Sequence, residues 1–582
     1  MKVLDFILRY SLPIMAALLI CIFYLGLPSL KSCTLQTDKD SKRLGKKDLL
    51  LMLIISAVYG AVAFTGLGDM KAPESFKNME NESVVLELEE SGAAKLMLYT
   101  GVGIGGYEIA YAPPGEDFRP LSELSQSHGD DLKWLSVELG ERLDRGRIKI
   151  SGWGNVWLGE FCAVDEKGDA IAVKGDSSLT DEQSLCPEKQ TYMNSSYFDE
   201  IYHARTAWEH LNGVYPYEIT HPPLGKIIIS LGISLFGMTP FGWRFSGTLF
   251  GVLMLPLMYI LLKKLFGGRI VPTAGTIVFA ADFMHFTQTR IATIDTYAVF
   301  FILLMYLFMY LFLTEEKLVW LGLCGLAFGL GAASKWTCFY AGAGLALLWT
   351  WYWLRHSSLG IKAFMKNVGF CCLFFLLIPG FIYYLAYIPY GKALGIGPFS
   401  MDYLRMVLDN QEYMFSYHSG VTAQHPYSSR WYQWVLDIRP ILYYLEYMPN
   451  GYRSSFGAFV NPMLCWGGLL ALFVLSYLAF FRKDRKAGFI ILGYLAQLLP
   501  WVLVSRITFE YHYFPSSVFL VLAMGYIFHI FVKNCRRGKV YVWGFTGLCV
   551  GLFCLFYPAI SGLPVPNELA TELMGWLPSW PF

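Results

Sequence analysis

About twelve apolar runs of roughly 20 residues recur along this chain, and they limit what it can fold into. A run of that length crosses a bilayer as a helix, which satisfies its backbone hydrogen bonds internally. Hydrophobic residues make up 55% of the 582 residues and charged residues only 16%. The sequence therefore predicts a mostly α-helical polytopic membrane protein. The runs lie near 10–30, 49–67, 242–262, 270–288, 292–313, 318–334, 338–354, 368–389, 463–481, 487–504, 514–532 and 541–558.

Lysine and arginine collect in every second loop between these runs, which the positive-inside rule assigns to the cytoplasm. The outward side then receives a segment near 70–241, a loop near 390–462 and a tail over 559–582. Lys2 and Arg9 are the exceptions, because this orientation places them outside. The net charge of +1 gives no sign of a nucleic-acid partner.

The chain divides into five predicted regions. They are two N-terminal spans over 1–69, an outward insert over 70–196, an outer loop over 197–241, a multi-span core over 242–558 and the outward tail. In the outer loop, residues 224–238 predict an interfacial helix that follows a Pro-Pro break.

The insert over 70–196 differs from the rest of the chain in its sequence pattern. The segments SVVLELEE, AKLMLYT, YEIAYAP, KWLSVEL, GRIKISG and VWLGEFCAV alternate apolar and polar residues between turn signals, as strands of a β-sandwich do. The nominal dinucleotide fingerprint at Gly101, Gly103 and Gly106 precedes a strand pattern rather than a helix, so we interpret it as a hairpin turn. Cys162 and Cys186 lie here, and a disulfide between them is an open alternative on the outer side.

Ionisable and aromatic residues gather at the outward ends of the apolar runs and in the outward loops. Charges at membrane depth are costly and mark functional sites. The candidates are Asp199, Glu200, His221, Lys226, Arg290, Asp295, Lys335, Trp336, Glu412, His418, His425 and Arg506. A lone interfacial cation is also a common anchor, and a lone acid pair is commonly solvated or caps a helix. Their joint occurrence on one face is what favours a site.

This asymmetry suits a reaction on a lipid-linked phosphate at the outer leaflet. Arginine and lysine would hold phosphate oxygens, a carboxylate would take a proton from an incoming hydroxyl, and aromatic rings would stack on a sugar. His203, His210 and His221 lack the spacing of a zinc site, so no metal or other cofactor is assigned. A divalent cation on Asp199 or Glu200 is the alternative.

Six motifs in order resemble the protein O-mannosyltransferases, glycosyltransferase family 39 of the GT-C superfamily. They are FDEIYHARTA, HPPLGK, FGWRFSGTLFG, TRIATIDTYAVFF, ASKWT and YHSGVTAQHPYSSRWYQW. The resemblance implies a polyprenyl- or dolichyl-phosphate sugar donor, usually mannose, transfer with inversion, and a Ser or Thr hydroxyl as acceptor. The loop over 390–462 is too short for the β-trefoil domain of eukaryotic members. The chain therefore looks like the bacterial type, in the cell membrane with an outward active site.

The family's acidic pair falls on Asp199 and Glu200. The resemblance implies that Asp199 is the general base and that Glu200 is an acceptor-site or structural carboxylate, or that these roles are exchanged. It implies that Arg290 binds the donor phosphate, together with Lys335 and Arg506. The other candidates would contact substrate; they are His221, Lys226, Asp295, Trp336, Glu412, His418 and His425.

Other functions remain open at this level. The insert is outside the family's common core, so the acceptor could be a lipid or a cell-wall polymer, and the sugar could differ from mannose. A lipid or sugar transporter would show internal repeats, which the two halves of this sequence lack. A receptor that presents the insert would leave about ten further spans unexplained.

Overall fold

The computed structural model describes residues 43–356 and 360–582, and the predicted first span over 10–30 lies outside them. These residues form two compact units. The helical unit contains the described residues up to Thr65, Ile219–Gly225 and the described residues of Gly247–Phe582. The β-rich unit contains Gly66–Glu218 and Lys226–Ser246, and so includes residues on both sides of the predicted insert.

Helices make up most of the described chain, which confirms the predicted mostly α-helical membrane fold. They are α1 (Lys46–Phe64), α2 (Glu200–Asn212), α3 (Leu224–Phe236), α4 (Pro240–Phe266), α5 (Ile270–Ala280), α6 (Phe283–Thr289), α7 (Asp295–Glu315), α8 (Leu318–Ser334), α9 (Cys338–Arg355), α10 (Gly360–Cys372), α11 (Ile378–Ala386), α12 (Ile388–Ala393), α13 (Met401–Gly420), α14 (Trp431–Trp434), α15 (Pro462–Phe481), α16 (Arg485–Leu498), α17 (Phe514–Asn534), α18 (Gly538–Ser561) and α19 (Asn567–Met574).

Eight helices among the described residues are long and apolar enough to cross a membrane. A ninth span results if α5 and α6, which bend by 56° at their junction, are counted as one. The predicted count of twelve is therefore not confirmed. One of the shortfalls is α8, which has only 17 residues. Helix α3 matches the predicted 224–238 helix, and its interfacial placement stays a prediction.

The helical unit has an inner and an outer layer of spans. In the span Glu510–Asn534, 94% of the apolar window is buried, whereas in Gly360–Ala393 only 6% is. Small residues bring the inner helices together: a Cβ on Gly493 would lie 2.1 Å from a ring carbon of Phe519. Glycine at such a contact lets two membrane helices pack closely.

The β-rich unit is a sandwich of two five-stranded antiparallel sheets. One sheet has the order β1-β8-β3-β6, with β9 beside β8, and the other has the order β10-β2-β7-β4-β5. The helical unit carries β11–β13. The strands are β1 (Lys77–Asn78), β2 (Ser83–Leu88), β3 (Ala93–Thr100), β4 (Ile104–Ala112), β5 (Arg119–Gln126), β6 (Trp134–Leu143), β7 (Gly146–Asn155), β8 (Trp157–Val164), β9 (Ala170–Ile171), β10 (Val173–Lys174), β11 (Ile441–Tyr447), β12 (Tyr452–Ala458) and β13 (Val565–Pro566).

Alternating side chains build the core of the sandwich. Along β2 every second residue is buried, and Leu86 pairs in register with Ile148 of β7. Leu98 and Phe161 of the opposite sheet join the same core. All six predicted strands are present, and β1, β5, β9 and β10 are additional.

The glycine-rich segment after β3 corrects one interpretation. Strands β3 and β4 belong to different sheets, so residues 101–103 cross between the sheets and do not form a hairpin, and Gly106 already lies in β4. Gly103 has a φ of 149°, and a Cβ there would lie 1.9 Å from the carbonyl oxygen of Asn155. Only glycine fits this crossing.

Three carboxylates converge on the outer side of the β8 sheet. Ligand oxygens of Glu160, Asp181 and Glu182 lie within 4.8 Å of one another. Burial, together with the charges of Asp181 and Glu182, raises the pKa of Glu160 to about 8, although two backbone N–H groups oppose the shift. Nearby, Cys162 and Cys186 pack in one cluster. Both are free cysteines in the structure, which therefore does not form the disulfide left open by the sequence.

The raised pKa of Glu160 predicts that the stability of the β-sandwich depends on pH. Its folded pKa of about 8 exceeds the ordinary value of 4.5, so its stabilising contribution is complete below about pH 4.5 and is lost as pH rises through 8. We expect β8 in the full-length protein to lose hydrogen-exchange protection between about pH 5 and 9, after correction for intrinsic exchange. Glu160→Gln should flatten this profile, and an unchanged slope in that variant would contradict the assignment.

Candidate active site

Asp199 follows a strained turn. Phe198 has a φ of 48°, which is rare for an aromatic residue and is typical of functional turns. Asp199 occupies the N-cap position of α2, yet its side chain makes no capping hydrogen bond there. Its backbone carbonyl instead accepts from the N–H groups of Tyr202 and His203. The Asp199 side chain is half-buried and is not used as the cap of the helix.

Glu200 has a different environment, although it is the next residue. Its side chain is 0% exposed and forms a two-pronged ion pair with Arg244, with N–O distances of 2.7 and 2.8 Å. The indole N–H of Trp243 donates to the same carboxylate over 3.3 Å. The Arg244 guanidinium also donates to the carbonyls of Leu67, Tyr192 and Ser195. Glu200 is thus held as a structural carboxylate, which disfavours a role as metal ligand or proton carrier.

The next turns of α2 are tied to the sandwich by a second buried arginine. Arg205 pairs with Asp131, which follows β5, and with Glu209 at 2.7 Å. Its guanidinium also lies 2.6 Å from the ring nitrogen Nδ1 of His128. Burial raises the pKa of Asp131 to about 6, and the charge of Arg205 opposes that shift. Because the segment after Asp199 is anchored this way, its position depends on the inserted sandwich.

Lys226 is also occupied within the β-rich unit. Its ammonium is 1% exposed and forms an ion pair with Glu218, whose backbone carbonyl it contacts at 2.7 Å. The ring of His203 lies 3.9 Å from the same carboxylate. This arrangement makes Lys226 a support for the turn before α3.

In the helical unit, a buried ion pair joins the ends of helices α7 and α8. Asp295 begins α7, where the helix dipole favours an acid, and its carboxylate lies 2.7 Å from the ammonium of Lys335 at the end of α8. Lys335 also lies 5.6 Å from the ring centroid of Tyr511. Arg290 ends α6 and donates to the Thr65 carbonyl over 2.9 Å. Arg290 and Lys335 therefore place cationic groups at the ends of α6 and α8.

Two histidines and a tryptophan lie together in the same unit. The rings of His221 and His418 meet edge to face at 5.0 Å, and Trp336 lies 6.4 Å from His418. Trp336 donates to the Tyr383 hydroxyl over 3.0 Å, and that hydroxyl donates to Gln411 over 2.6 Å. Since His418 and Gln411 share α13, this chain of hydrogen bonds fixes the outer-loop helix beside the HPPLG segment.

His418 is a neutral hydrogen-bonding group. Burial lowers its pKa to about 4, assisted by the charges of His221 and Arg506. Its Nε2 lies 2.8 Å from the Thr220 carbonyl, so Nε2 carries the proton and donates. Nδ1 is then a bare acceptor that is buried without a hydrogen-bond partner among the described residues. It suits a substrate hydroxyl.

The remaining candidates lie elsewhere in the helical unit. Glu412 is exposed on α13 and makes no hydrogen bond or ion pair with another candidate among the described residues. His425 packs edge to face against Phe509 at 5.1 Å and lines a cavity together with Arg506. The sequence did not single out Arg244, Glu218 or Gln411, because their partners are distant along the chain or unrelated in pattern.

Comparisons with known proteins indicate the class and the family to which this chain belongs. Residues 220–384 match a family model described as dolichyl-phosphate-mannose-protein mannosyltransferase. Residues 403–580 match one described as the C-terminal four-transmembrane region of protein O-mannosyltransferase. The yeast protein O-mannosyltransferase complex bound to the sugar donor superposes with a TM-score of 0.59. That match covers 67% of this chain and 90% of the other at 16% identity, so it shows the fold.

Bacterial relatives match this chain over about two thirds of its length. The polyprenol-phosphate-mannose–protein mannosyltransferase of Mycolicibacterium smegmatis is 27% identical over 456 residues, which cover 66% of this chain and 87% of the relative. The Corynebacterium glutamicum protein of the same name is 25% identical over 427 residues, covering 62% and 81%. The fold and these matches define an integral membrane glycosyltransferase of the GT-C type. More narrowly, the chain belongs to the protein O-mannosyltransferase family.

Proposed function

We propose that this protein transfers mannose from a polyprenyl-phosphate carrier to a Ser or Thr hydroxyl of a polypeptide. The reaction takes place on the outer face of a bacterial cell membrane. The names of the bacterial relatives support the donor and the acceptor class. The observation that carries the proposal in this chain is the buried Asp295–Lys335 pair, because it fixes the Lys335 ammonium at the end of α8.

The proposed reaction is a single displacement with inversion. The acceptor oxygen attacks the anomeric carbon, its proton passes to the carboxylate of Asp199, and the bond from that carbon to the phosphate oxygen breaks. Polyprenyl phosphate leaves with the bonding electrons. Arg290 and Lys335 neutralise the charge that develops on this leaving group. His418 Nδ1 accepts a hydrogen bond from a sugar hydroxyl.

The acceptor class is tested by comparing three kinds of acceptor in parallel reactions. Purified full-length protein is incubated with polyprenyl-phosphate mannose and, in parallel, a Ser/Thr peptide, a glycolipid or a cell-wall polymer. We expect mannose on the peptide alone, identified by mass spectrometry. Transfer to the lipid or polymer in place of the peptide would reject the polypeptide acceptor while retaining the glycosyltransferase.

The role of Lys335 makes a separate prediction. Lys335→Gln should raise the KM for the lipid donor by about 10-fold or more and lower kcat, because a buried cation that offsets phosphate charge is lost. Asp295→Asn should act in the opposite direction on donor KM, since Lys335 would lose its competing anion. Steady-state kinetics with donor and peptide varied separately measure both effects. An effect confined to the peptide KM would remove Lys335 from donor binding.

A further inference from the structure

A cavity of about 510 Å³ lies within the helical unit, on the outer loops. Residues 421–433 form one wall and residues 505–508 form the other. All of them come from extramembrane loops of the predicted topology, and none belongs to a helix that could cross the bilayer. The volume is within the range of ligand pockets and exceeds what a single phosphate group fills.

The walls of this cavity are fixed to each other by hydrogen bonds. The N–H of Ser429 donates to the carbonyl of Thr508 over 2.9 Å, and the Thr508 hydroxyl donates back to Ser429 over 2.6 Å. Trp434 donates to the Ser429 hydroxyl over 2.9 Å and stacks on His512. The cavity is therefore a formed site and not a gap between loose loops.

Two guanidinium groups give the cavity its charge. Arg430 donates to the Ser505 carbonyl over 3.1 Å, and Arg506 donates to the Ile507 carbonyl over 3.4 Å. Neither arginine forms an ion pair with a carboxylate in the part of the chain that the structure describes. His425, Gln424 and Gln433 add polar groups to the lining. Two guanidinium groups that donate, among the described residues, to backbone carbonyls and to no carboxylate make an anion-binding lining.

Arg506 also connects this cavity electrostatically to the reaction groups. Its charge contributes, after burial and His221, to the lowered pKa of His418. An anion bound at Arg506 therefore lies near the group that we assign to the sugar. A subsite at this position can select acceptors by a charge close to the hydroxyl that receives mannose.

We propose that this cavity binds an acidic side chain of the acceptor polypeptide and that Arg430 is a specificity-determining residue. This inference rests on the proposed function. The alternative anion is the phosphate of the lipid donor. The acceptor is favoured because the lining comes from water-facing loops, whereas a lipid phosphate remains beside the hydrocarbon that carries its chain. Arg506 would then serve the acceptor instead of the donor predicted from the sequence.

The test uses the full-length protein, polyprenyl-phosphate mannose and peptides with one Thr. A single Glu or Gln is placed at successive positions on either side of that Thr. We expect the wild type to prefer Glu over Gln by about 10-fold in kcat/KM at one or more positions, as a charge-assisted pair implies. Arg430→Gln should bring that ratio close to 1. Arg405→Gln, an exposed cation on α13 that does not line the cavity, should retain the wild-type ratio.

Three outcomes would overturn the subsite. They are equal use of Glu and Gln peptides by the wild type, an unchanged ratio in Arg430→Gln, and a rise in the KM for the lipid donor in that variant. Peptide binding without donor, measured by fluorescence anisotropy, checks the ratio independently of turnover. Failure to transfer mannose to any peptide is a different result, because it rejects the proposed function and the subsite with it.

Discussion

Replacing Asp199 with asparagine is expected to reduce mannose transfer by at least about 100-fold, because the amide cannot take the proton of the attacking hydroxyl. The asparagine side chain keeps the size of the aspartate and can still accept hydrogen bonds, so the fold should tolerate the change. Initial rates with polyprenyl-phosphate mannose and a Thr peptide, measured at saturating donor, give the loss in kcat.

The pH dependence separates a base from a positioning group. The wild-type rate should rise with pH as Asp199 ionises, and the residual rate of Asp199→Asn should lack that rise. His418 has a pKa of about 4 and so titrates in the same acidic range as an ordinary aspartate, but both proteins contain His418, and the difference between their two profiles isolates Asp199. Undiminished turnover in Asp199→Asn would remove this residue from the mechanism.

Substitution of Glu200 should instead lower the stability of the protein. Glu200→Gln removes the negative charge that is paired with the buried guanidinium of Arg244, so we expect the free energy of unfolding of the β-rich unit to fall by about 3–5 kcal/mol. Hydrogen exchange of α2 in the full-length protein reports this loss directly. Activity should decline only as far as folded protein is lost.

An exposed ion pair of the same unit supplies the matched control. Arg119 and Glu141 lie 3.2 Å apart with side chains 57% and 71% exposed. Arg119→Met should cost about 1 kcal/mol or less. The double variant Glu200→Gln/Arg244→Met should recover part of the loss, because no charge is then left buried. A wild-type exchange profile in Glu200→Gln would show that the pair contributes little.

Strand positions were predictable where the apolar period of two is strict. The segment over Ser83–Leu88 alternates exposed and buried residues as its sequence indicates. Strand β5 was missed because Pro120 and a run of Ser and Glu weaken that pattern. The Gly101–Gly106 segment was wrongly interpreted, since a short glycine-rich turn does not specify which sheet the next strand joins.

The candidate site was predictable as a set of segments but not as a set of roles. Asp199 and Glu200 are indistinguishable in sequence, and only Arg244, which is 44 residues further on, separates them. Lys226 is predicted to contact substrate, and no local pattern indicates its ion pair with Glu218. Arg430 stood in a polar loop whose partner, residues 505–508, is about 75 residues away. Such roles depend on long-range packing, which local patterns do not record.

The configuration of the sugar in the product tests the central claim most directly. Full-length protein, polyprenyl-phosphate mannose labelled with ¹³C at the anomeric carbon and a Thr peptide are incubated, and the one-bond C–H coupling at that carbon is measured by NMR. The mechanism predicts mannose joined to the Thr oxygen with the configuration opposite to that in the donor. Retained configuration, or mannose released only to water, would contradict direct transfer to a polypeptide hydroxyl.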